Sequence, residues 1–271
     1  MSALMFETIQ EKVSNGDLAG ALQALNQMAE IHPDSVEARW HRSGVHLRMR
    51  NFEQALDDLD WLVQREYKLG ESLSQRAFVR LQLQDYAGAI ADSKVSAQMD
   101  SSSSQNHLYE GLALFHLGEY AASIPCFSAL LDQVPTHQEG QRLRGMAYCL
   151  TGQFQEGLFD MQSVLAMNQE DDQAWFWLGF VRHQEGDFEA ALQALDESIR
   201  RNGYNKSAYV SRGRVWLAMG EKKKALKDFE SAHALDPDWE ILPALVREAR
   251  RTEGRGGIFG ALRDLRSKHE R

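Results

Sequence analysis

The side chains able to do chemistry are plentiful in this sequence, and their spacing is the first thing to read. Nine histidines are scattered along 271 residues, and none stands in a His-Glu-x-x-His arrangement that would set two imidazoles on one helix face around a metal. The two cysteines, Cys126 and Cys149, form no Cys-x-x-Cys pair that could close a zinc site or a redox dithiol. A glycine-rich run opens at Gly254 (Gly-Arg-Gly-Gly-Ile-Phe-Gly), but it follows no strand and lacks the Gly-Lys-Ser/Thr ending that cradles phosphate. Carboxylates are abundant, and on helix faces they are expected to stand in water. No catalytic residue, metal or cofactor is expected, and the chain does not read as an enzyme.

Composition narrows the remaining classes. Charged residues make up 25% and hydrophobic ones 43%, values of a soluble globular chain. The net charge of −9 argues against nucleic acid as a partner, since that function needs a basic surface. The charge is uneven: from Arg247 to Arg271 eight Lys or Arg stand against four Asp or Glu, leaving 22 against 35 in residues 1–246. The opening Met-Ser-Ala-Leu-Met-Phe-Glu lacks the basic start and apolar core of a signal peptide. No stretch reaches the ~18 apolar residues that span a bilayer. A cytoplasmic location is expected, with both cysteines as buried free thiols of a reducing compartment.

The elements that must position these side chains recur with a fixed period. Stepping 34 residues each way from Ala191 lands on Ala21, Ala55, Ala89, Ser123, Gly157 and Ala225, all small. Three residues before each site stands Leu18, Phe52, Tyr86, Tyr120, Phe154 or Phe188, and only Lys222 breaks the series. Twelve residues before, the series is Ile9, Ser43, Ala77, Gly111, Gly145, Gly179 and Gly213. Five before, it is Gly16, Arg50, Gln84, Gly118, Gly152, Gly186 and Gly220. Small residues on two antiparallel helices let the axes approach to the lower end of the usual ~8–10 Å. A Gly after the first helix can end it in the left-handed conformation at little cost. One such helix pair cannot bury its apolar faces, so neighbours must stack.

The clearest copy, residues 172–205, has Trp175-x2-Leu178-Gly179 followed by Gly186-Asp187-Phe188-x2-Ala191-Leu192. This pattern resembles the tetratricopeptide repeat, a 34-residue helix–turn–helix module. The expected architecture is an all-α, right-handed α-solenoid of seven such repeats over residues 2–239: 2–35, 36–69, 70–103, 104–137, 138–171, 172–205 and 206–239. Repeat one should be atypical, as an end repeat meets water. Ser101 to Ser104 should form a flexible connector. Pro125 should fall near the first turn of a helix beginning about Ala121. A capping helix is expected over 240–253, with Ile241, Leu242, Leu245, Val246 and Ala249 on one side. A Gly-rich hinge at 254–257 then leads to a basic amphipathic tail at 258–271.

The resemblance also implies where a ligand would lie. In that family the first helix of each repeat lines the concave wall, and here the implied groove residues are Trp40, Phe78, Leu108, Leu112, Arg142, Met146, Phe176, Phe180, Val210 and Arg214. Glu37, Glu71, Glu139 and Arg48 would stand at its rim. Members that grip a C-terminal carboxylate use Lys, Asn and Arg where this chain has Phe6 and Gln10, His41 or Gly44, and Glu71 with Gln75, so that clamp is absent. The implied function is a non-catalytic scaffold or adaptor holding a peptide or partner protein along the concave face. Two alternatives stay open: a module that self-assembles through its ends or tail, and a regulatory subunit of a separate enzyme. In the tail, Phe259, Leu262 and Leu265 could fill a groove of the same or a second molecule, or be a solvated end. Their apolar face is short for a membrane surface, so no membrane partner is expected.

Overall fold

The computed structural model describes residues 2–100 and 103–251. The Gly-rich hinge, Phe259, Leu262 and Leu265 lie outside the described residues, as do Ser101 and Ser102. Among the described residues there are fifteen α-helices and no strand, the all-α class that the period predicts. They are α1 (Ser2–Ser14), α2 (Leu18–Ile31), α3 (Val36–Arg48), α4 (Phe52–Gln64), α5 (Leu69–Gln82), α6 (Tyr86–Met99), α7 (Ser104–His116) and α8 (Tyr120–Gln133). These are followed by α9 (Gln138–Leu150), α10 (Phe154–Met167), α11 (Asp172–Gln184), α12 (Phe188–Arg201), α13 (Lys206–Ala218), α14 (Lys222–Leu235) and α15 (Leu242–Arg251).

Two compact units divide the chain, residues 1–140 and 141–271. In the first, α1 to α8 pack each against the next, and α5 also meets α7, so the first helices of two successive pairs lie side by side. In the second, each helix from α10 to α14 packs on its successor, and α11 likewise meets α13.

Local chemistry explains where the helices start and stop. Side chains of Asp17, Ser35, Asp85, Asp171, Asp187 and Asn205 each accept from the backbone N–H three residues on, satisfying an otherwise orphaned donor. The residue that ends the first helix of each pair has positive φ throughout: 79–82° at Gly16, Gly118, Gly152, Gly186 and Gly220, but also 59° at Arg50 and 62° at Gln84. The turn geometry is thus kept where glycine is not. Pro125 departs from expectation, because α8 begins at Tyr120 and carries it beyond the first turn, inside a helix that continues to Gln133. The missing N–H would otherwise bond the carbonyl of Ala121.

The packing follows the small residues. Ala21, Ala55, Ala89, Ser123, Ala191 and Ala225 are fully buried. Opposite them the glycines leave room for large neighbours: a Cβ on Gly111 would lie 2.7 Å from the Phe127 ring, and one on Gly179 would lie 2.6 Å from Leu195 Cγ. On α15, Leu242, Leu245 and Ala249 are buried in one cluster with Phe229 and Ala232, whereas Ile241, which precedes the helix, is exposed.

Four carboxylates correct the expectation that acidic groups stand in water. Asp58, Asp92, Asp160 and Asp228 are buried, each held by two N–H donors of one arginine: Arg42, Arg76, Arg144 and Arg212. Both members recur in the 34-residue register, sixteen residues apart, so the pairing was readable in the sequence as Arg-x15-Asp. Fork-to-fork geometry of this kind is what makes burial of a charge tolerable.

Candidate functional site

In the first unit the inner helices build a cavity. On α3, Trp40, His41, Gly44, Val45 and Arg48 repeat at helical spacing and so share a face. Ile9, Gln10 and Val13 of α1 border one side, Gln75 of α5 borders another, and the open cavity between them has a volume of about 250 Å³. Trp40 is half-buried, with the Tyr67 ring edge-on at 6.3 Å and Lys68 Nζ 4.9 Å from its centroid. His41 lies 5.0 Å from the Phe6 ring, and burial, aided by the charge of Lys68, holds its pKa below the usual imidazole value. Gln75 also borders a second, more polar cavity with Lys68, Glu71, Ser74, Ser96 and Gln105. Its Oε1 is buried without a hydrogen-bond partner.

The other groove residues of this unit lie along the same series of inner helices. Phe78 on α5 meets Phe52 edge-on at 6.4 Å and Tyr109 of α7 at 5.7 Å. Leu108 and Leu112 of α7 are half-buried. Glu37, Glu71, Glu139 and Arg48 are all exposed.

In the second unit, Met146, Phe176 and Phe180 come together against one buried cluster. Trp177 is the hinge of that group, 5.2 Å from the Phe176 ring and 5.4 Å from that of Phe180. Arg142 lies 3.6 Å from Asp171, the residue that caps α11. Val210 does not join the inner face: it is only 4% exposed and packs with Ala225, Phe229 and Leu242, because α14 and α15 cover it. Arg214 is exposed, and its charge adds to burial in lowering the pKa of His183.

The chemistry this arrangement offers is recognition through surface shape. Cys126 and Cys149 are buried, and burial pushes both thiols up to about 12, with Glu110 and Asp160 respectively adding to the effect. A thiol so displaced is a poor nucleophile at neutral pH. Among the described residues no group of three or more His, Cys, Asp or Glu is placed to hold a metal ion. None of the described helices is long and apolar enough to cross a membrane.

Known proteins share this organisation. A tetratricopeptide repeat family model matches residues 6–60, 142–206 and 181–238, which together exceed half of the chain. Among curated proteins, DnaJ homolog subfamily C member 3 of Gallus gallus is 20% identical over 260 residues, covering 86% of this chain and 52% of its own length. TPR repeat-containing protein YpiA of Bacillus subtilis is 24% identical over 190 residues, covering 68% of this chain and 44% of its own length. The chain therefore spans about half the length of the curated relatives it matches. Among solved structures, the C-terminal part of a TPR repeat-containing protein from Cytophaga hutchinsonii superposes with a TM-score of 0.68 at 13% identity, covering 89% of this chain and 99% of the other. YrrB, described as a TPR protein with an unusual peptide-binding site, superposes with a TM-score of 0.58 at 17% identity, covering 71% and 97%. At such identities the superpositions speak for the fold alone. With a matching family model over more than half its length and paired helices in the 34-residue register, the chain belongs to the tetratricopeptide repeat family.

Proposed function

We propose that this protein is a non-catalytic adaptor of the cytoplasm that holds a peptide or partner protein against the inner helices of its repeats. One observation carries the reading: large apolar side chains on those helices, Trp40, Phe78, Met146, Phe176 and Phe180, are half-buried rather than packed away. Aromatic and Met side chains held on rigid helices supply contact area at little ordering cost, the usual composition of a binding hot spot. The peptide-binding site ascribed to YrrB, a protein of the same fold, supports it. Buried free thiols suit a reducing compartment.

The test is affinity capture from source-cell extract with intact protein and with a Phe176→Ala, Phe180→Ala double variant. A partner bound by the first and lost by the second, at unchanged helicity, supports the adaptor. Absence of any captured protein, together with concentration-dependent size of the pure chain, would favour self-assembly instead.

A further inference from the structure

The cavity beside Trp40 has a size and polarity that specify its ligand. Its volume of about 250 Å³ falls below the ~300–1,000 Å³ typical of small-molecule sites, and suits one large side chain rather than a cofactor. Ile9, Val13, Val45 and the Trp40 ring make the wall apolar. A Cβ built on Gly44 would meet nothing within 4 Å, so the backbone of α3 borders open space there. Of the nine lining residues Arg48 alone carries a formal charge, and it has no ion-pair partner among the described residues. Lys68 also lies on the Trp40 ring, but it pairs with Glu71 at 3.9 Å, which leaves Arg48 as the unpaired cation on the lining. On a chain whose net charge is −9, Arg48 is thus an unpaired cation beside an apolar hole.

We propose that the cavity takes one apolar side chain of a partner segment and that an Asp or Glu adjacent to it in the segment pairs with Arg48. The ligand class is thus an apolar–acidic peptide, in contrast to a basic or purely apolar one. This deepens the adaptor reading and rests on it.

The experiment uses the full chain and two pools of fluorescein-labelled octapeptides, each with a central Leu, Phe or Met, flanked by Asp and Glu in one pool and by Lys and Arg in the other. Binding is read by anisotropy for the native chain, Gly44→Leu, Arg48→Glu and, as a control in the second unit, Arg214→Glu. Leucine at position 44 grows into open space and replaces a poor helix former, so this plug should leave circular dichroism intact and should not lower the urea midpoint.

The inference expects the acidic pool to bind about tenfold tighter than the basic one, Arg48→Glu to remove that preference, Gly44→Leu to abolish binding, and Arg214→Glu to change little. Equal binding of the two pools, binding of neither, an acidic preference that survives Arg48→Glu, or indifference to Gly44→Leu would each overturn it. Self-association of the native chain lost in Gly44→Leu would also overturn it, assigning the cavity to a second copy. If a captured partner depends on Phe176 and Phe180 but not on Gly44, the adaptor reading survives and this inference fails; if no variant or native chain captures anything, both fail.

Discussion

Arg76 grips Asp92 through two parallel hydrogen bonds, Nε to Oδ2 at 2.8 Å and Nη2 to Oδ1 at 2.7 Å. Its third arm, Nη1, donates to Asp60 at 2.7 Å, so a single guanidinium ties α5 to its own partner α6 and to α4 before it. Arg212 repeats the device with Asp228 and Asp196, and Arg42 repeats it with Asp58 and Asn26. On the rung between α6 and α7 the signs reverse. There Lys94 faces Glu110 at 3.6 Å, and Cys126 occupies the place where an aspartate would have set a second negative charge beside Glu110.

Removing one arm should strand its buried carboxylate. Arg144→Ala leaves Asp160, 1% exposed, with only the long 3.4 Å contact from Gln141 among its named donors, and should cost ~3 kcal/mol. Arg76→Ala should cost less, since Arg80 Nη1 remains 3.0 Å from Asp92. Urea unfolding of both variants checks the order, and equal losses would contradict it.

Two glycines at different sites should respond oppositely to the same methyl group. A Cβ on Gly213 would sit 2.5 Å from Cε1 of the fully buried Phe229, so Gly213→Ala should destabilise by ~1–3 kcal/mol through overpacking. Gly44→Ala meets no obstacle and should stabilise by up to ~1 kcal/mol through helix propensity. Thermal midpoints of the two variants should move in opposite directions.

The left-handed residues that are not glycine offer a gain. At Arg50, φ is 59°, a conformation costing ~1–2 kcal/mol with a side chain present. Arg50→Gly returns part of that in unfolded-chain entropy, so a net stabilisation of ~0.5–1 kcal/mol is expected, read as a higher melting temperature. An unchanged or lower value would show that the Arg50 side chain contributes packing of its own.

Acid should weaken the fold through histidine. His41, His46 and His183 all have lowered pKa values, in each case first through burial, with nearby Lys68, Arg42 and Arg214 adding to it; Glu37 partly offsets the effect at His41, and Asp58 and Asp57 at His46. Their neutral form is favoured in the folded chain, so this stability is fully present above the unfolded value of ~6.5 and is lost as pH falls below it. His46, with a buried and partnerless Nδ1, should dominate. The urea midpoint should drop between pH 7.5 and 5.5, and His46→Gln should flatten that dependence.

The thiols should be protected by the fold. With Cys126 and Cys149 pushed up to about 12, the thiolate fraction at pH 8 is on the order of 10⁻⁴, against about a quarter in the unfolded chain. Iodoacetamide labelling of the native protein should run slower than in urea by on the order of 10³ or more. Rapid labelling of either cysteine in the native chain would refute its burial.

Residue type at a fixed spacing was sufficient to determine the all-α class and the helix pairs, because the constraints involved are local. A small residue at each contact and a left-handed residue at each turn are demanded by two helices whatever surrounds them. Even Arg50 and Gln84, which break the glycine pattern, keep the backbone geometry that the register requires. Exposure was another matter, since it depends on what a neighbouring helix covers and how far a side chain reaches. Trp40, Phe176 and Val210 hold the same place in their repeats, yet the first two are half-buried while α14 and α15 close over the third. Asp92 and Glu71 are equally acidic in the sequence, but only Asp92 lies within reach of a guanidinium anchored on the adjoining helix, and so only it could be carried out of water.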